Sequence, residues 1–184
     1  YEIGKKSLFE NGYYEIGMDH FALKNDTLYK AFENGDLHRN FMGYSSSKTQ
    51  LMIGLGVSSI SDSWYSFAQN TKNLEEYYEQ IELDNLPIYR GHFLTSKDLV
   101  IRKHILNLMC LFETSWENSE DYFEEIHSVM KDLEEMENDG LIKIGVTKLT
   151  VNEAGKPFVR NICMAFDLRL KRNAPNTQLF SMTV

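Results

Sequence analysis

The sequence is short of cysteine and proline and contains no long hydrophobic run: its 184 residues include two cysteines and three prolines. Cys110 and Cys163 lie far apart and each has apolar neighbours, which favours buried free thiols in a reducing compartment over a disulfide between them. No stretch approaches the roughly 20 apolar residues that a membrane-spanning helix needs, and no signal-peptide pattern is present. We therefore expect a cytoplasmic protein without a membrane partner.

The chain also has fewer positive than negative residues: it contains 19 Lys and Arg and 27 Asp and Glu, so its formal net charge is −8. A surface with this average charge repels polyanions, so we expect no nucleic-acid partner. The hydrophobic content of 42% is sufficient for a packed core. A chain of this length forms one ordinary domain or two small ones.

The common catalytic and metal-binding motifs are missing. The sequence has no GxSxG, no phosphate-binding loop and no HExxH, and its histidines are not spaced as paired ligands, so we predict no metal site in this chain. Gly54 and Gly56 lack the third glycine and the following helix of a dinucleotide fingerprint. We interpret them as a strand bulge or a close approach of the backbone to another group. The glutamates at 134, 135 and 137 are typical of a solvated helix face.

Helix and strand patterns alternate up to about residue 94. Residues 13–21 alternate as in a strand, and residues 38–44 resume an extended pattern. Short helices follow Asn25 or Asp26 and Thr71 or Asn73, all of which are good helix caps.

The pattern changes at Thr95, where TSKD resembles a capping box that opens a long helix. A second helix over 120–140, a hairpin over 141–151 and a final helix through FVRNICMAFDLRL follow. This order resembles a winged-helix outline. We predict an α+β fold with two domains, residues 1–94 and residues 95–184.

Five segments, in order, carry a resemblance to a known family: GYYEIGMDHFA at 12–22, LHRNFMGY at 37–44, GLGVSSIS at 54–61, SFAQN at 66–70 and RNICMAFD at 160–167. Together they resemble the C-terminal part of oxygen-independent coproporphyrinogen III oxidase, a family of radical S-adenosylmethionine enzymes. The resemblance spans nearly the whole chain and is weakest between about 112 and 155.

The resemblance implies an oxidoreductase of haem biosynthesis that converts two propionates of coproporphyrinogen III to vinyl groups, giving protoporphyrinogen IX. The family holds its 4Fe–4S cluster with a CxxxCxxC motif near the N-terminus, which this chain lacks. We therefore expect the chain to be a downstream piece of a longer protein and inactive alone, with the cluster in a missing N-terminal catalytic portion. Residues 1–94 would then be the end of a radical-enzyme barrel with a sheet extension.

The resemblance also implies site residues. Phe41, Met42 and Ile60 would line the site of a second S-adenosylmethionine, and no catalytic residue lies in this chain. Arg39 either binds a substrate carboxylate through its planar fork or pairs with Asp19 or Glu15.

His20 contacts the substrate or braces its strand, and the sequence leaves both interpretations open. Two other functions also stay open. One is a winged-helix module that binds nucleic acid or protein through basic residues of the last helix, namely Arg160, Arg169, Lys171 and Arg172. The other is a related haem chaperone with the same general layout.

Overall fold

The computed structural model describes residues 2–172, which form an α+β fold of short helices and small antiparallel sheets. Its first half contains α1 (Glu2–Glu10), β1 (Tyr13–Gly17), β2 (His20–Leu23), α2 (Thr27–Glu33), β3 (His38–Asn40), β4 (Gly43–Ser45), β5 (Leu51–Met52), β6 (Ile60–Ser63), β7 (Ser66–Asn70), α3 (Leu74–Glu82) and β8 (Ile88–Phe93). Its second half contains α4 (Ser96–Leu111), β9 (Glu113–Ser115), α5 (Ile126–Asp132), α6 (Glu134–Asn138), β10 (Ile142–Ile144), β11 (Lys148–Val151), α7 (Val159–Phe166) and α8 (Leu168–Arg172).

The first half is built from two hairpins and a four-stranded sheet. Strands β1 and β2 form one hairpin, β3 and β4 form the other, and β5, β6, β7 and β8 pair in chain order. Within the four-stranded sheet, Asp62 lies opposite Phe67 and Phe67 lies opposite His92. Residues directly opposite each other share a sheet face, so these three side chains form a row that faces α4.

Helix caps determine where several helices begin, as the sequence predicts. The side chain of Asp26 accepts the backbone N–H of Leu28 at the start of α2, and Asn73 caps α3. Thr95 and Asp98 form a reciprocal capping box at the start of α4. Each cap satisfies backbone donors that the first helical turn leaves unpaired.

The predicted extended segments at 13–21 and 38–44 do form strands, but each is interrupted by a turn and folds into a hairpin. Met18 and Asp19 have positive φ angles of 41° and 65°, which form a tight turn between β1 and β2. Two successive residues with positive φ are typical of hairpin turns, and the alternating sequence conceals this turn because neither residue is glycine. The second hairpin turns at Phe41 and Met42, between the paired residues Asn40 and Gly43.

The predicted helix over 120–140 is also wrong in extent. A 3-10 turn at Ser119–Asp121 precedes two short helices, α5 and α6, and positive φ at Gly140 follows them. The predicted hairpin is confirmed as β10 and β11, although β9 joins it as a third strand. The last helix is divided into α7 and α8. Residues 173–184 lie outside the described part of the chain.

The two cysteines are free and buried, as expected. Among the described residues, no helix has the length and apolar character needed to cross a membrane.

His104 lies at the centre of the larger core, on α4, and its side chain is 1% exposed. Its Nδ1 is 2.7 Å from Thr114 Oγ1 and its Nε2 is 2.8 Å from the carbonyl oxygen of Asp121. The rings of Phe123 and Phe166 pack against the imidazole. Burial lowers the pKa of His104, so the neutral ring is the folded form.

We predict that His104→Phe reduces the free energy of unfolding by about 2–3 kcal/mol, since it leaves Thr114 and the Asp121 carbonyl without their buried partner. Urea unfolding measures this difference. The matched control is His127→Gln, a change at an exposed histidine that should stay within about 0.5 kcal/mol. Equal stability of His104→Phe and the unmodified chain would contradict the structural role of these hydrogen bonds.

The same burial predicts a pH dependence of stability. The pKa values of His104 and His38 are lowered in the folded state, so the unfolded chain binds more protons below the ordinary histidine pKa of about 6.5. Stability is therefore complete above that pH and falls as the pH decreases from 6.5, by up to about 1.4 kcal/mol per pH unit for each histidine. Urea unfolding at pH 7.5, 6.5 and 5.5 tests this. A flat profile would refute it, and His104→Phe should reduce the slope.

Candidate functional site

A cleft of about 600 Å³ separates the four-stranded sheet and the β3–β4 hairpin from α4 and the beginning of α8. Its volume lies in the range of small-molecule sites. Apolar side chains such as Phe41, Phe67 and Ile105 form much of its wall. Four arginines also line it, namely Arg39, Arg102, Arg160 and Arg169.

Arg102 of α4 joins the helix to the sheet through an ion pair in which one guanidinium nitrogen contacts both carboxylate oxygens of Asp62. Its Nη2 lies 3.0 and 2.9 Å from the two carboxylate oxygens of Asp62, and its Nη1 lies 3.2 Å from the carbonyl oxygen of Trp64. The guanidinium carbon is 4.7 Å from the ring centre of Trp64 and 5.0 Å from that of Phe67. Both terminal nitrogens of this arginine and its two ring contacts therefore stabilise the fold.

Asp98 lies at the centre of a second group of charged residues in the cleft, with Arg169 and His92 around it. It accepts hydrogen bonds from Arg169 at 3.0 and 2.8 Å and from the backbone N–H of Thr95 at 2.8 Å. The hydrogen bonds from Arg169 hold the pKa of Asp98 far below its usual range. His92 Nε2 is 3.5 Å from the same carboxylate and is buried without a hydrogen-bond partner. The charge of Arg169 is therefore also used within the protein.

Arg39 differs from these arginines because one of its donors is not used. Its Nη1 is buried and has no hydrogen-bond partner among the described residues. Its guanidinium carbon lies 4.6 Å from the ring centre of Tyr44, whose hydroxyl donates to the carbonyl oxygen of Met109 at 2.8 Å. A buried N–H without an acceptor costs about 1–3 kcal/mol, so this donor is available to an acceptor oxygen in the cleft.

Comparison with known proteins identifies relatives over nearly the whole chain. The chain is 38% identical over 96% of its length to the oxygen-independent coproporphyrinogen III oxidase of Escherichia coli, and 38% identical over 94% of its length to that of Pseudomonas aeruginosa. The solved structure described as coproporphyrinogen III oxidase (HemN) from E. coli, a radical SAM enzyme, matches 92% of the chain with a TM-score of 0.84 at 36% identity. The chain is a homologue of the C-terminal part of these oxidases. No family model matches it.

The chain spans about 40% of the length of the E. coli oxidase and 38% of that of P. aeruginosa. The oxidase of Synechocystis shows the same relation, with 36% identity over 96% of this chain and 40% of the relative.

The structure of this oxidase homologue brings only some of the expected site residues together. Phe41 lines the cleft and packs edge-on against Phe67, with ring centres 5.1 Å apart. Met42, at the tip of the same hairpin, is 86% exposed and does not line the cleft. Ile60 is half-buried on β6, two residues from Asp62 on the same sheet face, and also lies outside the cleft lining.

His20 lies behind the β3–β4 hairpin and is not one of the cleft residues. Its Nδ1 lies 2.9 Å from the carbonyl oxygen of Met18, and its ring packs edge-on against Tyr44. A Cβ atom at Gly43 would lie 2.9 Å from His20 Nε2, so the contact requires glycine there. His20 thus packs on the β3–β4 hairpin, and its two predicted roles, a substrate contact or a brace of its own strand, stay predictions.

Sequence reasoning missed Arg102, Asp62 and His92 as cleft residues. The sequence did single out Asp98, but only as a member of the capping box and not as a residue of the cleft. The ion pair of Asp62 and Arg102 joins residues 40 positions apart, and no local pattern marks such a pair.

We predict that Arg102→Met lowers the free energy of unfolding by about 3–5 kcal/mol, because it leaves the Asp62 carboxylate buried and unpaired. The control is Arg90→Met, which removes an exposed arginine from the same sheet. Urea unfolding of both variants provides the comparison. The double variant Asp62→Leu with Arg102→Met should recover much of the loss, and equal effects of the two single arginine variants would show that the buried pair is dispensable.

Proposed function

We propose that the protein containing this chain is an oxygen-independent coproporphyrinogen III oxidase, and that this chain supplies one wall of its substrate site. The reaction is the oxidative decarboxylation of two propionates of coproporphyrinogen III to vinyl groups. The names of the relatives support the substrate and the reaction class. The contribution of the chain itself rests on the cleft.

This proposal rests on the buried N–H donor of Arg39, which has no partner among the described residues. The other arginines of the cleft all have interaction partners. Arg102 and Arg169 are held by aspartates, and Arg160 also has an interaction partner. The substrate bears several carboxylates, and a planar guanidinium binds a carboxylate with two parallel hydrogen bonds. Arg39 therefore anchors one substrate carboxylate, and the apolar walls exclude water from the adjacent carbon atoms.

A second S-adenosylmethionine would bind beside Phe41, Met42 and Ile60. When bound, this cofactor supplies a reactive group for hydrogen abstraction. The exposed faces of Phe41 and Met42 fit its apolar portions, since each buried CH2 contributes roughly 0.8 kcal/mol. Because Met42 and Ile60 lie outside the cleft lining, the site requires a further wall from the rest of the protein.

The 4Fe–4S cluster is assigned to the part of the protein outside this chain. The only cysteines of the sequence, Cys110 and Cys163, lie on α4 and α7, and both are buried. Burial raises the pKa of Cys110 to about 11 and that of Cys163 to about 12, so neither forms a thiolate near neutral pH. Two protonated thiols do not fit an iron–sulfur cluster.

The domain division is part of the same proposal. Residues 1–94 would be the end of the radical-enzyme barrel with its sheet extension, and residues 95–184 the helical winged-helix-like domain. The helix α4 with the β9–β10–β11 sheet and α7 supports the second unit, since they share one core. A cytoplasmic location and a partnership with the N-terminal catalytic portion complete the proposal.

We predict that Arg39→Gln, introduced in the full-length protein that contains this chain, raises the KM for coproporphyrinogen III by about 10- to 100-fold. This is the effect of losing a charge-assisted contact of about 1.5–3 kcal/mol. Anaerobic assay of protoporphyrinogen IX formation measures it. Arg39→Lys retains the positive charge but not the planar fork of the guanidinium. Its KM should therefore lie between those of the unmodified protein and of Arg39→Gln.

Phe41→Ala and Ile60→Ala test the cofactor site in the same protein. Both should lower S-adenosylmethionine turnover per substrate consumed, whereas Leu55→Ala, at an exposed position away from the cleft, should not. Unchanged turnover in all variants would refute the pocket role, and an unchanged KM in Arg39→Gln would refute the carboxylate contact.

A further inference from the structure

His38 and Arg39 are neighbours on β3 but serve different cavities. Successive side chains of a strand point to opposite faces, and while Arg39 lines the cleft, His38 lines a separate cavity of about 450 Å³. This second cavity is enclosed by the beginning of β3, residues 48–50, the turn between β6 and β7, and one face of α4. The proposed oxidase reaction makes no use of it.

The imidazole of His38 is the first sign of a ligand in this cavity. The residue is only 7% exposed, yet neither ring nitrogen has a hydrogen-bond partner among the described residues. Burial lowers the pKa of His38, and the positive charge of Arg102 lowers it further, while Asp62 opposes the shift. A neutral imidazole offers one donor and one acceptor, and here both are unused.

The charge of the cavity is the second sign. Lys48 and Lys103 line it, and no aspartate or glutamate belongs to its described lining. The lysines do have acidic partners, Asp36 at 3.8 Å from Lys48 and Asp121 beside Lys103, but both carboxylates lie outside the cavity. The cavity is therefore a positive site in a protein of net charge −8, and it attracts anions.

The remaining walls combine polar and apolar groups. The side chains of Gln50 and Asn107 add amides, and Trp64, Leu37 and Leu106 add apolar surface. The volume exceeds what a bare inorganic ion fills and suits a small organic molecule.

Covalent and metal chemistry are not the use that these residues suggest. The Cys110 thiol reaches the cavity wall, but burial raises its pKa to about 11 and keeps it protonated. Within the described part of the chain, no three histidine, cysteine or acidic side chains are grouped to hold a metal ion.

We propose that this cavity binds a small organic anion, with its carboxylate or phosphate near Lys48 and Lys103, a hydrogen bond to His38 and its apolar body against Trp64 and Leu106. The site lies on the face of α4 next to the substrate cleft, and Leu106 lines both. It does not depend on the proposed oxidase activity, because every contact comes from this chain.

The experiment titrates the full-length protein that contains this chain with benzoate, adenosine 5′-monophosphate and inorganic phosphate while the imidazole resonances are followed by ¹H–¹⁵N NMR. His38→Gln identifies the His38 signals. We expect saturable shifts of the His38 ring nitrogens with at least one organic anion, at lower concentration than with phosphate. Comparison of the first two probes shows whether the cavity prefers a carboxylate or a phosphate.

Lys48→Gln should weaken that binding by about five-fold, the effect of removing one charge contact of roughly 1 kcal/mol. The matched control is Lys143→Gln, the same charge change at an exposed lysine on β10, which should leave binding unchanged. The proposal is overturned if His38 does not respond to either organic anion, if phosphate binds as tightly as both, or if the two lysine variants behave alike. None of these results bears on the Arg39 contact, whose failure would appear in the KM of the full-length protein.

Discussion

The ion pair between Asp62 and Arg102 is the constraint on which the functional half of the molecule depends. It joins a sheet of short strands to the longest helix, and it does so where both partners are nearly excluded from water, with side chains 9% and 13% exposed. Two charges in such surroundings need hydrogen bonds to be stable, and Arg102 Nη2 donates to both Asp62 oxygens while Nη1 donates to the Trp64 carbonyl. Because the pair fixes the distance between sheet and helix, it also fixes the cleft between them.

The pairing of the cleft arginines also separates Arg39 from Arg102 and Arg169. Arg102 and Arg169 are each held by both carboxylate oxygens of an aspartate, so they stabilise the walls and offer little to a bound anion. Arg39 is held by the face of Tyr44, which leaves a hydrogen-bond donor unused. A cation on an aromatic ring retains hydrogen-bond donors, and Nη1 of Arg39 is the buried one without a partner among the described residues.

The features that could be predicted from the sequence are those that depend on neighbouring residues. Caps such as Asn73 and Thr95 act within one helical turn, and the sequence alone identified them. The turn at Met18 and Asp19 could not be found, because positive φ at two non-glycine residues is imposed by the pairing of the strands on either side. The cleft could not be predicted from the sequence either, because its walls come from distant segments that the contact between Asp62 and Arg102 brings together. The family resemblance grouped Phe41 with Met42 and Ile60, of which the described structure places only Phe41 in the cleft lining, and the cofactor role of all three stays a prediction.

The two faces of the hairpin in segment HRNFMGY line different cavities, since Arg39 lines the cleft and His38 lines the second cavity. The segment's length is seven residues, and its hydrogen-bond register places Arg39 opposite Tyr44 and His38 opposite Ser45. A shift of one residue would exchange the two faces and put His38 where Arg39 now lines the cleft. The close packing of His20 against Gly43 and Tyr44 opposes that shift, since a side chain at Gly43 would collide with the His20 ring. His20 therefore supports the register of the hairpin without lining the cleft itself.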